Sequence, residues 1–239
     1  MSGGAYVALS GLRVREAQLD RVAADIANAG TAGYKAERSS SHQAERPNFA
    51  LALESAVDVA EGSTRIDFRP GTLAPTGRDL DFAIDGPGFF VVDTPAGPRY
   101  TRCGSFSVSP EGVLVTADGA AVQGTDGAIH IGPGEVTAEA DGTIRVGGAP
   151  AGKVRIVDFD DPEVLARESA GRFRAPSSVT PHEGKGALHG GALEQANVSI
   201  VERVAHLTEL TRGFEALNRG ISVLMNDLDG RAISELGKR

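Results

Sequence analysis

Seven apolar residues near the C-terminus, Leu207, Leu210, Phe214, Leu217, Ile221, Leu224 and Leu228, follow one another at alternating steps of three and four. That spacing is the heptad seam of a coiled coil, and Ile200 and Val204 extend it backwards. At about 1.5 Å per residue, a helix from Ser199 to Leu236 would run roughly 55 Å. An isolated helix gains little stability without a packed face, so one this long needs a partner along its length. Gly213 and Gly220 lie within it, seven residues apart. Each costs up to about 1 kcal/mol against Ala, which predicts that another backbone approaches closely there.

The N-terminal stretch offers a second helix. From Gly4 to Ala27 there is no proline, and Ala5, Ala8, Leu12, Leu19, Val22 and Ile26 recur at helical spacing, with Arg15 interrupting the stripe. Asn28, Gly30 and Gly33 tolerate left-handed conformation, so the helix should end near Asn28. Between the two helices the period changes. Asp85-Gly86, Glu111-Gly112, Asp118-Gly119, Asp126-Gly127 and Asp141-Gly142 punctuate short runs that read as antiparallel strands at 105–108, 113–116, 143–146 and 154–159. The expected fold class is α+β: long N- and C-terminal helices pairing as a coiled coil, with a central antiparallel β-rich domain. The divisions fall at 1–35 for the first helix, 36–75 for an extended arm, 76–190 for the β-rich domain and 191–239 for the second helix.

Composition narrows the function. The chain of 239 residues is 41% hydrophobic but 5% aromatic, without Trp, so we expect a core of Ala, Val, Leu and Ile rather than large rings, and no deep aromatic pocket. A formal net charge of −8 without a basic cluster argues against nucleic acid. The lone Cys103 excludes an internal disulfide and a Cys-rich zinc site. No run approaches the ~20 apolar residues that span a bilayer, and the first residues lack the pattern of a cleavable signal. We therefore expect a protein without direct membrane insertion.

Candidate chemistry is sparse. Asp79 and Asp81 would lie on one strand face about 7 Å apart, a spacing compatible with inverting glycosidases, yet alternating acidic and apolar residues also describe any half-buried strand. His42, His130, His182, His189 and His206 fall in different segments with no metal-ligand spacing. Gly184-Lys185-Gly186 and Gly86-Pro87-Gly88 read as turns rather than phosphate loops. The expectation is no catalytic, cofactor-binding or metal-binding residue, no cofactor and no enzymatic activity.

Four blocks nevertheless carry a specific pattern. The first is Ala8-Leu9-Ser10-Gly11-Leu12 with Ile26-Ala27-Asn28-Ala29-Gly30-Thr31-Ala32-Gly33-Tyr34-Lys35. The second runs from Pro70 to Phe90 and includes Gly86, Gly88, Phe89 and Phe90. The third is Tyr100 to Phe106 with Gly112 to Gly119, and the fourth is Gly191 to Val198, with Leu193, Glu194 and Asn197. Together they resemble the axial proteins of the bacterial flagellum, the family of rod, hook and hook-associated subunits. In that pattern Cys103 replaces a polar residue and Ala196 a serine. Gly33 would turn the chain, Tyr34 would anchor it, and Asn197 would cap the second helix.

The resemblance implies a structural subunit of the proximal-rod type rather than the distal-rod type, exported through the flagellar type III apparatus. It implies partners among other rod subunits and copies of itself, and a place in the basal-body rod as it crosses the periplasm. Its helices would fold into the wall of a hollow shaft that transmits torque. The residues expected to carry assembly are Leu12, Leu19, Val22, Ile26, Val204, Leu207, Leu210, Phe214, Leu217, Ile221, Leu224 and Leu228. The competing readings are a secreted β-rich glycan-binding or cell-wall-cleaving protein and a cytoplasmic coiled-coil scaffold.

Overall fold

The structure is a computed structural model that describes residues 2–39, 64–168 and 171–236; the side chains of 2–10, 39, 221 and 223–236 are outside that description. The chain forms two compact units. One comprises Met1–Ala27, Ser39–Thr64 and Ser199–Arg239, and the other Asn28–Arg38 and Arg65–Val198. The proposed 36–75 arm lies mostly outside the described residues.

The second unit holds nearly all of the strand structure. Its main sheet has ten strands, with the path Ala166–Arg167, Arg172–Arg174, Gly97–Thr101, Phe89–Thr94, Ala121–Gly124, Leu114–Thr116 and Phe106–Val108. The pairings are antiparallel, as the short glycine turns dictate. The Phe89–Thr94 strand is central because both of its faces are apolar. Successive side chains point to opposite faces, so Phe90 and Val92 enter a core with Phe82, Phe106, Leu114 and Val122, while Phe89 and Val91 enter another with Tyr100, Phe159 and Phe173. Contrary to the aliphatic core expected from composition, most of the chain's few aromatic rings gather in these two cores, and edge-to-face pairs join the second: Phe68 meets Phe89 at 5.4 Å and Phe173 at 5.0 Å. A three-stranded sheet, Val136–Ala138, Thr143–Val146 and Ala149–Lys153, contributes Val136 and Ile144 to the first core.

The helical unit contains α1 (Ser2–Ala27) and α2 (Ile200–Leu236). Here the expected fold class is corrected. The protein is β-rich, with nineteen short strands in five sheets against two α-helices among the described residues. The helices do not pair as a coiled coil. A coiled coil seats every seam residue in a hole between four partner residues. Instead Val204 is 47% and Leu217 37% exposed, Leu207 and Phe214 are half-buried, and Leu210 alone among the described seam side chains is buried. Ile221, Leu224 and Leu228 have side chains outside the described residues.

The reason lies on α1. Its half-buried and buried positions include Arg15, Gln18 and Asp25 alongside Leu12, Leu19, Val22 and Ile26, so among the described side chains of α1 the face is not a continuous apolar stripe. A polar contact also joins the helices: Arg203 Nε lies 3.1 Å from Asp25 Oδ2. Among the described residues no backbone approaches the two helical glycines closely: a Cβ at Gly213 would have ordinary contact with the Arg15 guanidinium at 3.9 Å, and one at Gly220 would meet none of them within 4 Å.

Asp79 and Asp81 do not form a carboxylate pair on a strand face. They precede the Phe82–Asp85 strand, Asp79 exposed, and Asp81 buried with Oδ1 3.4 Å from Arg78 Nη1.

Candidate functional site

The motif residues from opposite ends of the chain converge within the β-rich unit. After α1 ends at Ala27, Thr31 N donates to Asn28 O at 2.9 Å and Tyr34 N to Thr31 O at 3.2 Å. This tight turn delivers Gly33 at φ 69°. A Cβ there would lie 2.3 Å from Cys103 N, so both the backbone conformation and the close approach exclude a side chain. Gly33 N then donates to Glu194 O at 2.7 Å, bringing the first block against the fourth.

Tyr34 is buried beneath Arg167, whose guanidinium carbon stands 4.6 Å from the ring centroid. The same guanidinium donates to Lys35 O and pairs with Glu37 at 2.8 Å. Arg167 thus contacts three of the four residues from Tyr34 to Glu37.

At the centre sit three buried charges. Lys35 is 0% exposed, Glu194 1% and Arg102 5%. Lys35 Nζ donates to Glu194 Oε1 at 2.5 Å and to Arg69 O at 2.9 Å. Gly71 N donates to the same carboxylate oxygen at 2.9 Å. Glu194 Oε2 faces Arg102 Nη1 at 3.5 Å. Arg102 in turn donates to Ile84 O at 3.2 Å and Gly86 O at 2.7 Å, and lies over the Phe89 ring at 5.4 Å. Gly86 and Phe89 of the second block therefore form part of the cradle for a cation of the third.

One carboxylate compensates two cations. Burial pulls both Lys35 and Arg102 below their ordinary pKa, against the opposing attraction of Glu194. For Lys35 the unfolded chain binds more protons than the folded one between its lowered folded value and 10.5. Stability from this group therefore rises with pH across that window. We expect urea unfolding of the wild type to gain stability relative to Lys35→Met as pH is raised from neutral to about 10.5. A constant difference would show that Lys35 keeps its ordinary pKa.

Asn197 does not cap α2. Its side-chain oxygen accepts from Ala36 N at 2.7 Å, and its amide donates to Asp67 O at 2.7 Å and Arg69 O at 3.1 Å. Ser199 stands at the helix start instead, its hydroxyl accepting from Glu202 N at 3.4 Å. Among the other motif residues, Phe90 fills the first core and Leu193 pairs opposite Ala74. Gly88 lies against Ile156. The assembly residues are not gathered here: they lie on α1 and α2 in the helical unit. Sequence reading passed over Lys35 and Arg102 as participants. The available signal was two cations and one acid embedded in otherwise apolar or glycine-rich motif blocks.

Comparison with known proteins bears on what this junction belongs to. Residues 83–146 match the description "Flagellar hook protein FlgE/F/G D1 domain". The flagellar basal-body rod protein FlgF of Caulobacter vibrioides is 36% identical, over 100% of this chain and 99% of its own length. The chain belongs to the flagellar basal-body rod protein family. Within it the chain is of the FlgF type: FlgF of Rhizobium meliloti is 32% identical over 99% of each chain. FlgG of Bacillus subtilis is 30% identical, over 91% of this chain and 93% of its own length, and is the weaker alternative. Each of the four blocks that mark this rod protein in sequence supplies at least one residue to the Lys35–Glu194–Arg102 junction.

Proposed function

We propose that the chain is a non-enzymatic structural subunit of the flagellar basal-body rod, of the proximal-rod type, assembling with other rod and hook components and with copies of itself. Whole-length identity to FlgF rod proteins carries this reading. Its location is the basal body, and its export by the flagellar type III apparatus belongs to the same proposal. Among the described residues no helix is long and apolar enough to cross a membrane.

The exposed apolar residues of α2 support polymerisation. Val201 is 81%, Ile200 54%, Val204 47% and Leu217 37% exposed, three of them in the first turn and a half of α2 and one further along it. Surface of this kind is costly in water and is covered in an assembly by neighbouring subunits. The function is then mechanical, with torque carried through many contacts around a tubular lattice.

The test is Leu217→Asp. We expect loss of rod assembly and motility, with thermal unfolding of the β-rich unit within about 0.5 kcal/mol of wild type, as for a surface substitution. Normal rods built from this variant would count against polymerisation through α2. Peptidoglycan cleavage by the purified chain, abolished by Asp79→Asn with Asp81→Asn, would instead favour the cell-wall-cleaving reading.

A further inference from the structure

The backbone passes between the two units four times, at 27/28, 38/39, 64/65 and 198/199. Any load carried by the chain from the helical unit enters the β-rich unit at those points. Three segments receive it: Asn28–Arg38, the stretch beginning at Arg65, and the stretch ending at Val198. Asn197 is bonded to all three. Besides the side-chain bonds to Ala36, Asp67 and Arg69, its own N–H donates to Tyr34 O at 3.3 Å.

Further ties close the ring. Asp67 N donates to Ala36 O at 2.8 Å, Arg38 Nε pairs with Asp67 Oδ2 at 2.8 Å, and Lys35 binds both Arg69 O and Glu194. Gly71 permits the closest packing, since a Cβ there would stand 1.9 Å from Gln195 O.

We propose that this ring is a load-sharing clasp, with Asn197 as the residue that makes the four passages yield together. A chain pulled at one passage without cross-ties would peel that segment alone, breaking its hydrogen bonds in sequence. With the ties in place several short, directional bonds have to break at once, and hydrogen bonds fail within a few tenths of an ångström of stretch. Asn suits the position chemically because it offers an acceptor to Ala36 N–H and two donors to carbonyls at the same time. Asp could not replace it, since its second oxygen would face the carbonyls of Asp67 and Arg69.

The inference deepens the rod reading and rests on it only for the use made of the clasp. The test uses the isolated full chain, so its failure would leave membership of the rod family untouched. In a Cys103→Ser background, Glu111→Cys and Ser199→Cys carry the handles for optical-tweezers pulling. The chain with Asn197 should release in one step. Asn197→Ala, which loses all three side-chain bonds, and Asn197→Asp, which loses the two to the Asp67 and Arg69 carbonyls, should release the segment before residue 199 first, in a separate short step, at roughly half the force.

An unchanged force and a single step in both variants would overturn the clasp. Amide exchange on the same variants guards against a general loss of folding. The clasp requires exchange at Ala36, Gly71 and Gln195 to rise together, on the order of tenfold, while Phe90 and Val122 stay protected. A rise confined to 195–198, or one spread equally over the sheet, would overturn it.

Discussion

Glu194→Ala should be among the most destabilising single substitutions in the β-rich unit, lowering its stability by about 3–5 kcal/mol. The carboxylate is the shared counter-charge of Lys35 and Arg102 and the acceptor of Gly71 N–H. Removing it strands two desolvated cations, a worse outcome than removing one member of a simple pair. Lys35→Met should cost less, because Glu194 keeps Arg102 as a partner. Combining Lys35→Met with Glu194→Leu should recover part of the loss, since apolar groups of similar volume replace a buried ion pair at little cost, and Arg102 keeps its two carbonyl acceptors. Chemical unfolding of the three variants gives the order. If Glu194→Ala unfolded at the wild-type midpoint, the junction would contribute nothing to the fold.

The second large effect is expected within one motif at two glycines three residues apart. Gly33→Ala forces an L side chain into φ 69° and places its Cβ 2.3 Å from Cys103 N and 2.4 Å from Arg102 C. Those neighbours are backbone, held by the Gly97–Thr101 strand just before them, and cannot yield as a flexible side chain would. Strain and overpacking together should cost about 3 kcal/mol or more. Gly30→Ala meets none of the described residues within 4 Å and has no positive φ, so it should lie within about 0.5 kcal/mol of wild type. Thermal unfolding of the pair distinguishes a packing requirement from a general need for flexibility in the loop. Equal losses at both positions would refute the packing account.

Much of the local structure was legible because it depends on neighbours in sequence. Glycine turns set the strands near 106–108, 114–116 and 143–146, and α1 stops at Ala27, one residue before Asn28. The rod-protein blocks were legible for a related reason: each is a short run with a fixed backbone shape, such as the turn that leads to Gly33.

Periodicity misled where the partner surface mattered. The seam from Leu207 to Leu228 specifies that α2 can present an apolar stripe. What lies against that stripe depends on Arg15, Gln18 and Asp25 of another segment, and these make a coiled coil unavailable within one chain. Asn197 failed as a cap in the same way. Its local position suited a helix start, but Ala36, Asp67 and Arg69 compete for its side chain and win with shorter bonds.

The sequence by itself determined the turns, the helix lengths and the family of this rod protein. Tertiary structure decided that Lys35, Arg102 and Glu194 meet, and that α2 leaves apolar residues uncovered. A turn is settled by the φ and ψ of a few consecutive residues. A buried charge is settled by whether an opposite charge, 159 residues away along the chain, arrives within hydrogen-bonding distance.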